Sequence, residues 1–339
     1  MVLEESAGGQ KPSPPALSQG EREPRLPLPL GEGGGEGSTQ PRSLDLSIVI
    51  VSYNVVKLLR DCLDSLRPNL ERLEAEVWVV DNASDDGSAD MVAAEYPWVR
   101  LIRNPSNAGY AAANNVALRQ AGGRYVLLLN PDTKLPPNTL VETLAEMDAN
   151  PDLGILGPKL VRADGSLDRA CRRSFPSPEI AFFRLFGLAR LFPSSPRFAR
   201  YNLLHLDPDQ PADVDSVCGA FMLVRRDAME RVGLLDERFR MYGEDLDWAY
   251  RIKEAGWRVR YYPAVVVLHL KGSSSRQRPT RSLRWFYQAM HLFYRKHYAP
   301  TRPALFNALV HAAIDLRGNL ALLQNAARGL HAHPDRPAD

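Results

Sequence analysis

Chemistry in this sequence collects at the ends of apolar runs and in one acidic cluster. Asp81 follows "AEVWVV", Asp132 follows "YVLLLNP", His269 follows "AVVVL", and "YGEDLDW" sets Glu244, Asp245 and Asp247 within one helical turn. A carboxylate at a strand end can hydrogen-bond a base or ribose, or ligate a hard cation. A carboxylate facing a pocket can serve as a general base, and Tyr242 and Trp248 would help to wall such a pocket. A neutral imidazole suits a cation bound beside it, and Lys271 with Ser273 to Ser275 could meet phosphate oxygens. Each feature also has a structural reading. Asp81 with Asn82 caps a turn, and Asp132 starts one with Pro131. Acids at a helix start are favoured by the macrodipole, Asp247 can pair with Arg251 at i,i+4, and a lone His after a strand is more often structural.

The elements that must hold these groups repeat a beat. "LSIVIVSYN" reads as a strand, and "VVKLLRDCLDSL" as a helix with Leu58, Leu59, Cys62, Leu63 and Leu66 at helical spacing. "AEVWVVDNASDDGS", "VRLIRNPSNAG" and "RYVLLLNPDT" give three more strands, followed by helices over "ADMVAAEY", "YAAANNVALRQA" and "PNTLVETLAEMDAN". Strands alternating with helices predict an α/β fold with a mainly parallel central sheet flanked by helices. In such sheets ligands bind outside the carboxyl ends of the strands. Ser52-Tyr53-Asn54, Asp81-Asn82 and Asn130-Pro131-Asp132 would then share one rim, supplying an aromatic face and two carboxylates for a nucleotide with a metal-bound diphosphate. Residues 154–215 are less regular. Beyond them "VDSVCGAFMLVRRDAMERVG" reads as strand then helix, and "EDLDWAYRIKEAG" as a helix closing at Gly256. "WRVRYYPAVVVLHL" is extended, and two amphipathic helices end the chain.

Composition removes other classes. The 339 residues carry a formal charge of +2, without the clustered basic footprint of a nucleic-acid binder. Residues 1–43 hold seven Pro and eight Gly, so residues 1–44 are expected to form a disordered extension. Its "GEGGGEGS" follows no strand and precedes no helix, which argues against a phosphate loop. Three scattered cysteines fit no metal-ligand spacing and suggest reduced thiols in a cytoplasmic setting. No apolar run reaches the length of a membrane span, and the first residues lack a secretory pattern.

Six motifs, "SIVIVSYN", "VVDNASDDGS", "NPSNAGYAAANN", "LLLNPDT", "CGAFMLVRRDAMERVGLLDERFRMYGEDLDWAYRIKEAGW" and "VLHLKGSS", stand in order between about residues 46 and 300. Together they resemble the inverting family 2 glycosyltransferases of the GT-A fold, especially bacterial rhamnosyltransferase-like members. The resemblance implies a catalytic domain over residues 45–275 and a C-terminal helical region over 276–339. It implies that Val51, Ser52, Tyr53, Asp81, Asn107, Gly109, Asn115 and Asn130 bind the nucleoside-diphosphate sugar. Asp132 and His269 would hold Mg²⁺ or Mn²⁺, with Asn130 standing where the family's metal motif carries its first Asp. Asp245 would be the catalytic base, Glu244 its competitor, and Asp247 and Trp248 would meet the acceptor.

The expected function is therefore transfer of a sugar, with dTDP-rhamnose as donor by subgroup analogy, to a cell-surface glycan or lipid-linked acceptor. A nucleotidyltransferase would need a Gly-rich loop after the first strand, and "SYNVVKLL" is not one. A non-catalytic sugar-binding module would not need Asp132, Asp245 and His269 together. "EIAFFRLFGLARLF" and the C-terminal helices suit peripheral contact at the inner face of a membrane, and suit packing onto the catalytic domain somewhat better. Homodimerisation through those helices stays open.

Overall fold

The structure, a computed structural model, describes residues 44–185, 187–192, 194–270 and 279–331. The Pro/Gly-rich extension up to residue 43, Lys271 and Ser273 to Ser275 lie outside the described residues. Arg42–Asp339 form one compact unit, so the C-terminal helices belong with the sheet.

The strands are β1 (Leu46–Ser52), β2 (Ala75–Asp81), β3 (Val99–Arg103), β4 (Tyr125–Leu129), β5 (Thr133–Lys134), β6 (Leu153–Val161), β7 (Arg172–Arg173), β8 (Ala212–Asp213), β9 (Ser216–Val217), β10 (Phe221–Arg225) and β11 (Arg258–His269). The helices are α1 (Val56–Leu70), α2 (Ser88–Glu95), α3 (Tyr110–Leu118), α4 (Thr139–Ala149), α5 (Pro178–Leu185), α6 (Leu188–Leu191), α7 (Arg226–Val232), α8 (Glu244–Glu254), α9 (Pro279–His297) and α10 (Ala304–His331). In the main sheet the order is β3-β2-β1-β4-β10-β6-β11-β5, with β8 on β11. The first four strands run parallel, and every residue of β1 is buried, as a strand covered on both faces requires. β10 enters antiparallel between β4 and β6.

The α1 spacing does what its pattern implies, sending Leu59, Cys62, Leu63 and Leu66 into the core. β11 pairs parallel with β6, and its register breaks between Tyr262 and Val266. Pro263 lies in that break, where a residue without an N–H cannot continue the ladder. Past the break β11 reaches the antiparallel partner β5, opposing His269 to Thr133. A second apolar cluster of Phe239, Leu246, Ala289 and Phe293 joins α9 to α8 and the segment before it.

Candidate active site

Register assembles the strand rim. β1 and β2 pair Ser52 with Asp81, and β1 and β4 pair Ile50 with Leu129, so the polar residues ending all three strands meet at one rim. Asp81 accepts a hydrogen bond from the Ser84 N–H on Oδ2 at 3.0 Å, while its buried Oδ1 has no hydrogen-bond partner. Ser52 Oγ is likewise buried and unpaired. Burying such groups is costly unless something meets them, so two orphans at a strand rim mark a place for a polar ligand. The turns that frame them are strained and mutually braced. Asn54 and Ala83 have φ of 52° and 63°; the Asn54 N–H donates to Ser84 Oγ, and Asn54 Oδ1 accepts from the Asp85 N–H. A left-handed alanine is uncommon and persists where its surroundings over-determine it.

Three residues expected to touch the sugar donor also hold the scaffold. Asn107 is exposed, and its Oδ1 accepts from Asn82 Nδ2 and from the Gly109 N–H. Gly109 has φ 93°, and a Cβ there would lie 2.7 Å from the Arg240 carbonyl oxygen. It is glycine because another backbone passes against it. Asn115 is buried, donating to the Leu235 carbonyl and to Glu237 while accepting from the Leu235 N–H. It pins the segment that leads to α8. Asn130 Oδ1 lies 3.1 Å from the Tyr110 hydroxyl, which shares its one proton between this oxygen and the Gly219 carbonyl.

Antiparallel pairing of β11 with β5 brings the metal candidates together. The Leu270 N–H donates to the Asp132 carbonyl, and His269 Nε2 lies 3.4 Å from Asp132 Oδ1. That distance is too long for a good hydrogen bond, and the buried Oδ1 is otherwise unpaired. It is close to the roughly 3 Å that separates neighbouring ligands each about 2.1 Å from one ion. On the other side of the ring His269 Nδ1 donates to buried Asp168 at 3.0 Å. A carboxylate behind an imidazole fixes its tautomer and turns Nε2 outward as a ligand. Burial pulls the His269 pKa down, but the carboxylates of Asp132 and Asp168 outweigh it and push it up to about 9. Among the described residues no group of three or more His, Cys, Asp or Glu forms a cation cage. Two protein ligands fit an ion completed by substrate phosphates.

The acidic pair opens α8. Tyr242 and Gly243, both left-handed at φ 71° and 84°, turn the chain into the helix, whose N-terminal dipole favours negative charge. Asp245 Oδ2 accepts from Arg173 Nη2 at 2.5 Å and from the Gly219 N–H at 3.0 Å, and Oδ1 from the Leu246 N–H at 2.8 Å. Glu244 is buried, with Oε2 unpaired. Burial, and then the charge of Asp245 beside it, push its pKa up to about 8. The pair thus holds one carboxylate oriented by an arginine and one carboxyl that keeps its proton near neutrality. Tyr110 ties this pair to the strand rim. Its hydroxyl lies 3.1 Å from both Asn130 Oδ1 and the Gly219 carbonyl, and with one proton it donates to one of them at a time. Burial, then the charges of Glu244 and Asp245, raise its pKa well above the ordinary tyrosine value.

Asp247 and Trp248, expected at the acceptor, are fully buried. Asp247 is held by Arg251, Lys296 and His297 at 2.9, 2.7 and 2.8 Å, and Trp248 Nε1 donates to the Gly233 carbonyl. On an α-helix the position two removed from Asp245 faces elsewhere, and there Asp247 anchors α9 through Lys296 and His297. Three residues that sequence reasoning passed over matter: Asp168, Arg173 and Tyr110. The first two lie in the irregular stretch without a local signature, whereas Tyr110 sat inside a motif already singled out.

Comparison with known proteins agrees with this architecture. The chain is 29% identical over 295 residues to the N-acetylglucosaminyl-diphospho-decaprenol L-rhamnosyltransferase of Mycobacterium tuberculosis, covering 84% of this chain and 94% of that protein. It is 25% identical to the low-salt glycan biosynthesis hexosyltransferase Agl10 of Haloferax volcanii, over 66% and 67% of the two chains. The fold matches the mannosyltransferase PcManGT of Pyrobaculum calidifontis, solved with GDP-Man and Mn²⁺, at a TM-score of 0.51 and 21% identity over 86% of this chain and 76% of that one. A glycosyl transferase family 21 profile matches residues 211–331. The family 2 profile matches residues 47–233, more than half of the sequence, and the chain belongs to glycosyl transferase family 2.

Proposed function

We propose that this glycosyltransferase moves a sugar, with rhamnose as the first choice, from a nucleoside diphosphate to the hydroxyl of a diphospholipid-linked glycan, inverting the anomeric centre. The single observation that carries the reading is that four of the buried side-chain oxygens left unpaired among the described residues, Ser52 Oγ, Asp81 Oδ1, Asp132 Oδ1 and Glu244 Oε2, stand at strand ends and a helix start joined through Tyr110. The choice of donor and acceptor rests on similarity to the mycobacterial rhamnosyltransferase. Catalysis is assigned to residues 45–275, with a C-terminal region over 276–339 whose described part holds α9 and α10.

Asp81 and Ser52 would bind the nucleoside through their unpaired oxygens. A divalent cation held by Asp132 and His269 would neutralise charge on the departing diphosphate. Asp245, oriented by Arg173 and the Gly219 N–H, would take the proton of the acceptor hydroxyl. The acceptor oxygen then forms its bond to the anomeric carbon from the face opposite the diphosphate. The carbon–oxygen bond to the leaving group breaks, and its electron pair departs with the nucleoside diphosphate. Glu244, still protonated, adds no second charge beside the incoming hydroxyl and can donate a hydrogen bond to it.

The test is a screen of UDP-, dTDP- and GDP-sugars with Mg²⁺ or Mn²⁺, followed by NMR of the product's anomeric configuration. One donor turning over with inversion, and lost in Asp132→Ala and Asp245→Asn, supports the assignment. Retention of configuration, or no donor binding to folded protein, overturns it.

A further inference from the structure

Exposed large apolar side chains are not scattered over this protein. Among the described residues six of the ten lie on α10, and they include Leu305, Leu309, Leu316, Leu320 and Leu323. At 100° per residue these five leucines fall within a sector of about 60°. Leu305, Leu309, Leu316 and Leu323 are 75%, 62%, 64% and 67% exposed, and no charged residue falls in their sector. The opposite side of α10 is the one packed on α9. There the Tyr294 hydroxyl donates to Asn307, His311 meets His291, Ile314 is buried, and a Cβ on Gly318 would come within 3.1 Å of the Tyr287 ring. The hairpin is therefore complete without the leucines, which cover nothing among the described residues.

Charge decides what they fit. Residues 279–331 hold seven Lys and Arg against Asp315 alone, a formal +6 in a chain whose total is +2. Among the described residues Lys296 is the one of these cations that carboxylates hold, through Asp236 and Asp247. Two copies meeting along α10 would bring two such basic hairpins together with no acidic strip between them. Four of these cations stand on α9, Arg302 between the helices, and Arg317 and Arg328 on α10; a basic hairpin with one apolar face suits a segment lying in the headgroup plane. No helix among the described residues is long and apolar enough to cross a membrane.

We propose that the leucine face of α10 docks on an anionic lipid bilayer, with the arginines of the α9–α10 hairpin contacting its headgroups. α9 packs beside the turn that leads into Glu244 and Asp245, with Ala289 against Gly243 and Phe286 against Tyr242. Docking would hold the catalytic acids behind the α9–α10 hairpin, on the side of it away from the bilayer, at a fixed remove from the surface that carries a lipid-borne acceptor. The inference rests on the exposed face and its charge, independently of which donor or acceptor is used.

Co-sedimentation of the full chain with phosphatidylcholine vesicles, and with vesicles of phosphatidylcholine and phosphatidylglycerol, tests it. Wild type is expected to pellet with the anionic vesicles and to be partly released by salt. Each of Leu309→Asp and Leu316→Asp should weaken partitioning roughly tenfold or more, and each of Arg281→Gln, Arg284→Gln and Arg317→Gln about fivefold. The arginine variants alter exposed side chains and serve if an aspartate variant melts early. Donor hydrolysis in vesicle-free buffer should be unchanged in all five, which separates this inference from the catalytic assignment. Failure of wild type to pellet with anionic vesicles overturns the proposal. So does a wild-type dimer in light scattering that the leucine substitutions dissolve, since that gives the face to a second copy.

Discussion

Replacing Glu244 by Gln keeps the shape of the side chain and removes its titration. Glu244 is 7% exposed, and burial with the neighbouring Asp245 charge takes its pKa from the ordinary 4.5 to about 8. The folded state thus holds this proton to higher pH than the unfolded chain. Its stabilising effect is whole below about pH 4.5, declines as the pH climbs, and is gone above about pH 8. At 1.36 kcal/mol per pH unit the full decline is about 5 kcal/mol, of which about 4 kcal/mol falls between pH 5 and pH 9. Glu244→Gln should lack this decline. In urea or thermal melts at the two pH values, the variant should gain on wild type by about 4 kcal/mol, or on the order of 8 °C in Tm. Because Gln copies the protonated glutamic acid, turnover at pH 7 should stay within about tenfold of wild type, whereas Asp245→Asn should lose about 10²–10⁴-fold. Stability curves of wild type and variant that run parallel from pH 5 to pH 9 would refute the buried, proton-bearing Glu244. Turnover abolished by Glu244→Gln and spared by Asp245→Asn would reverse the two roles.

Other outcomes follow from the same geometry. Asp168→Asn should weaken Mn²⁺ binding in the presence of nucleoside diphosphate about 10–100-fold, read by Mn²⁺ electron paramagnetic resonance with no turnover required; unchanged affinity would mean that His269 does not need its carboxylate. With two protein ligands, the free protein should bind Mn²⁺ at least about tenfold more weakly than the protein with nucleoside diphosphate, and chelation should abolish donor binding. Arg173→Met leaves the Asp245 charge buried without its partner, so a loss of about 3–5 kcal/mol is expected in denaturant melts, and Asp245→Asn on top should recover part of it. Gly109→Ala should cost more than about 1 kcal/mol, because its Cβ meets a backbone carbonyl that cannot swing away as a side chain can.

Much of the frame was legible from local pattern. The apolar runs of β1, β2 and β4 and the helical spacing of α1 predict strands and helices that the structure contains, and the alternation predicts the shared rim of Ser52, Asp81 and Asn130. Hydrophobic periodicity carries such information because burial acts on every residue of an element at once. The same pattern could not say which polar residues are spoken for. Asn107, Gly109, Asn115, Asp247 and Trp248 sit in or beside motifs that carry the resemblance, yet each has a partner in backbone or side chains more than ten residues away.

What the sequence alone determined is the class of fold, the family, and the short set of carboxylates and the histidine from which a site can be built. Tertiary structure decided which of them are free. A hydrogen bond depends on distance and direction across the chain, so Asp168 finds His269 a hundred residues away and Arg173 finds Asp245 without any local signature. Burial likewise belongs to the packed whole. Only packing separates Glu244, desolvated and proton-bearing, from Asp245 beside it, held by an arginine. Only packing leaves the leucines of α10 facing outward when their spacing alone would suit a core.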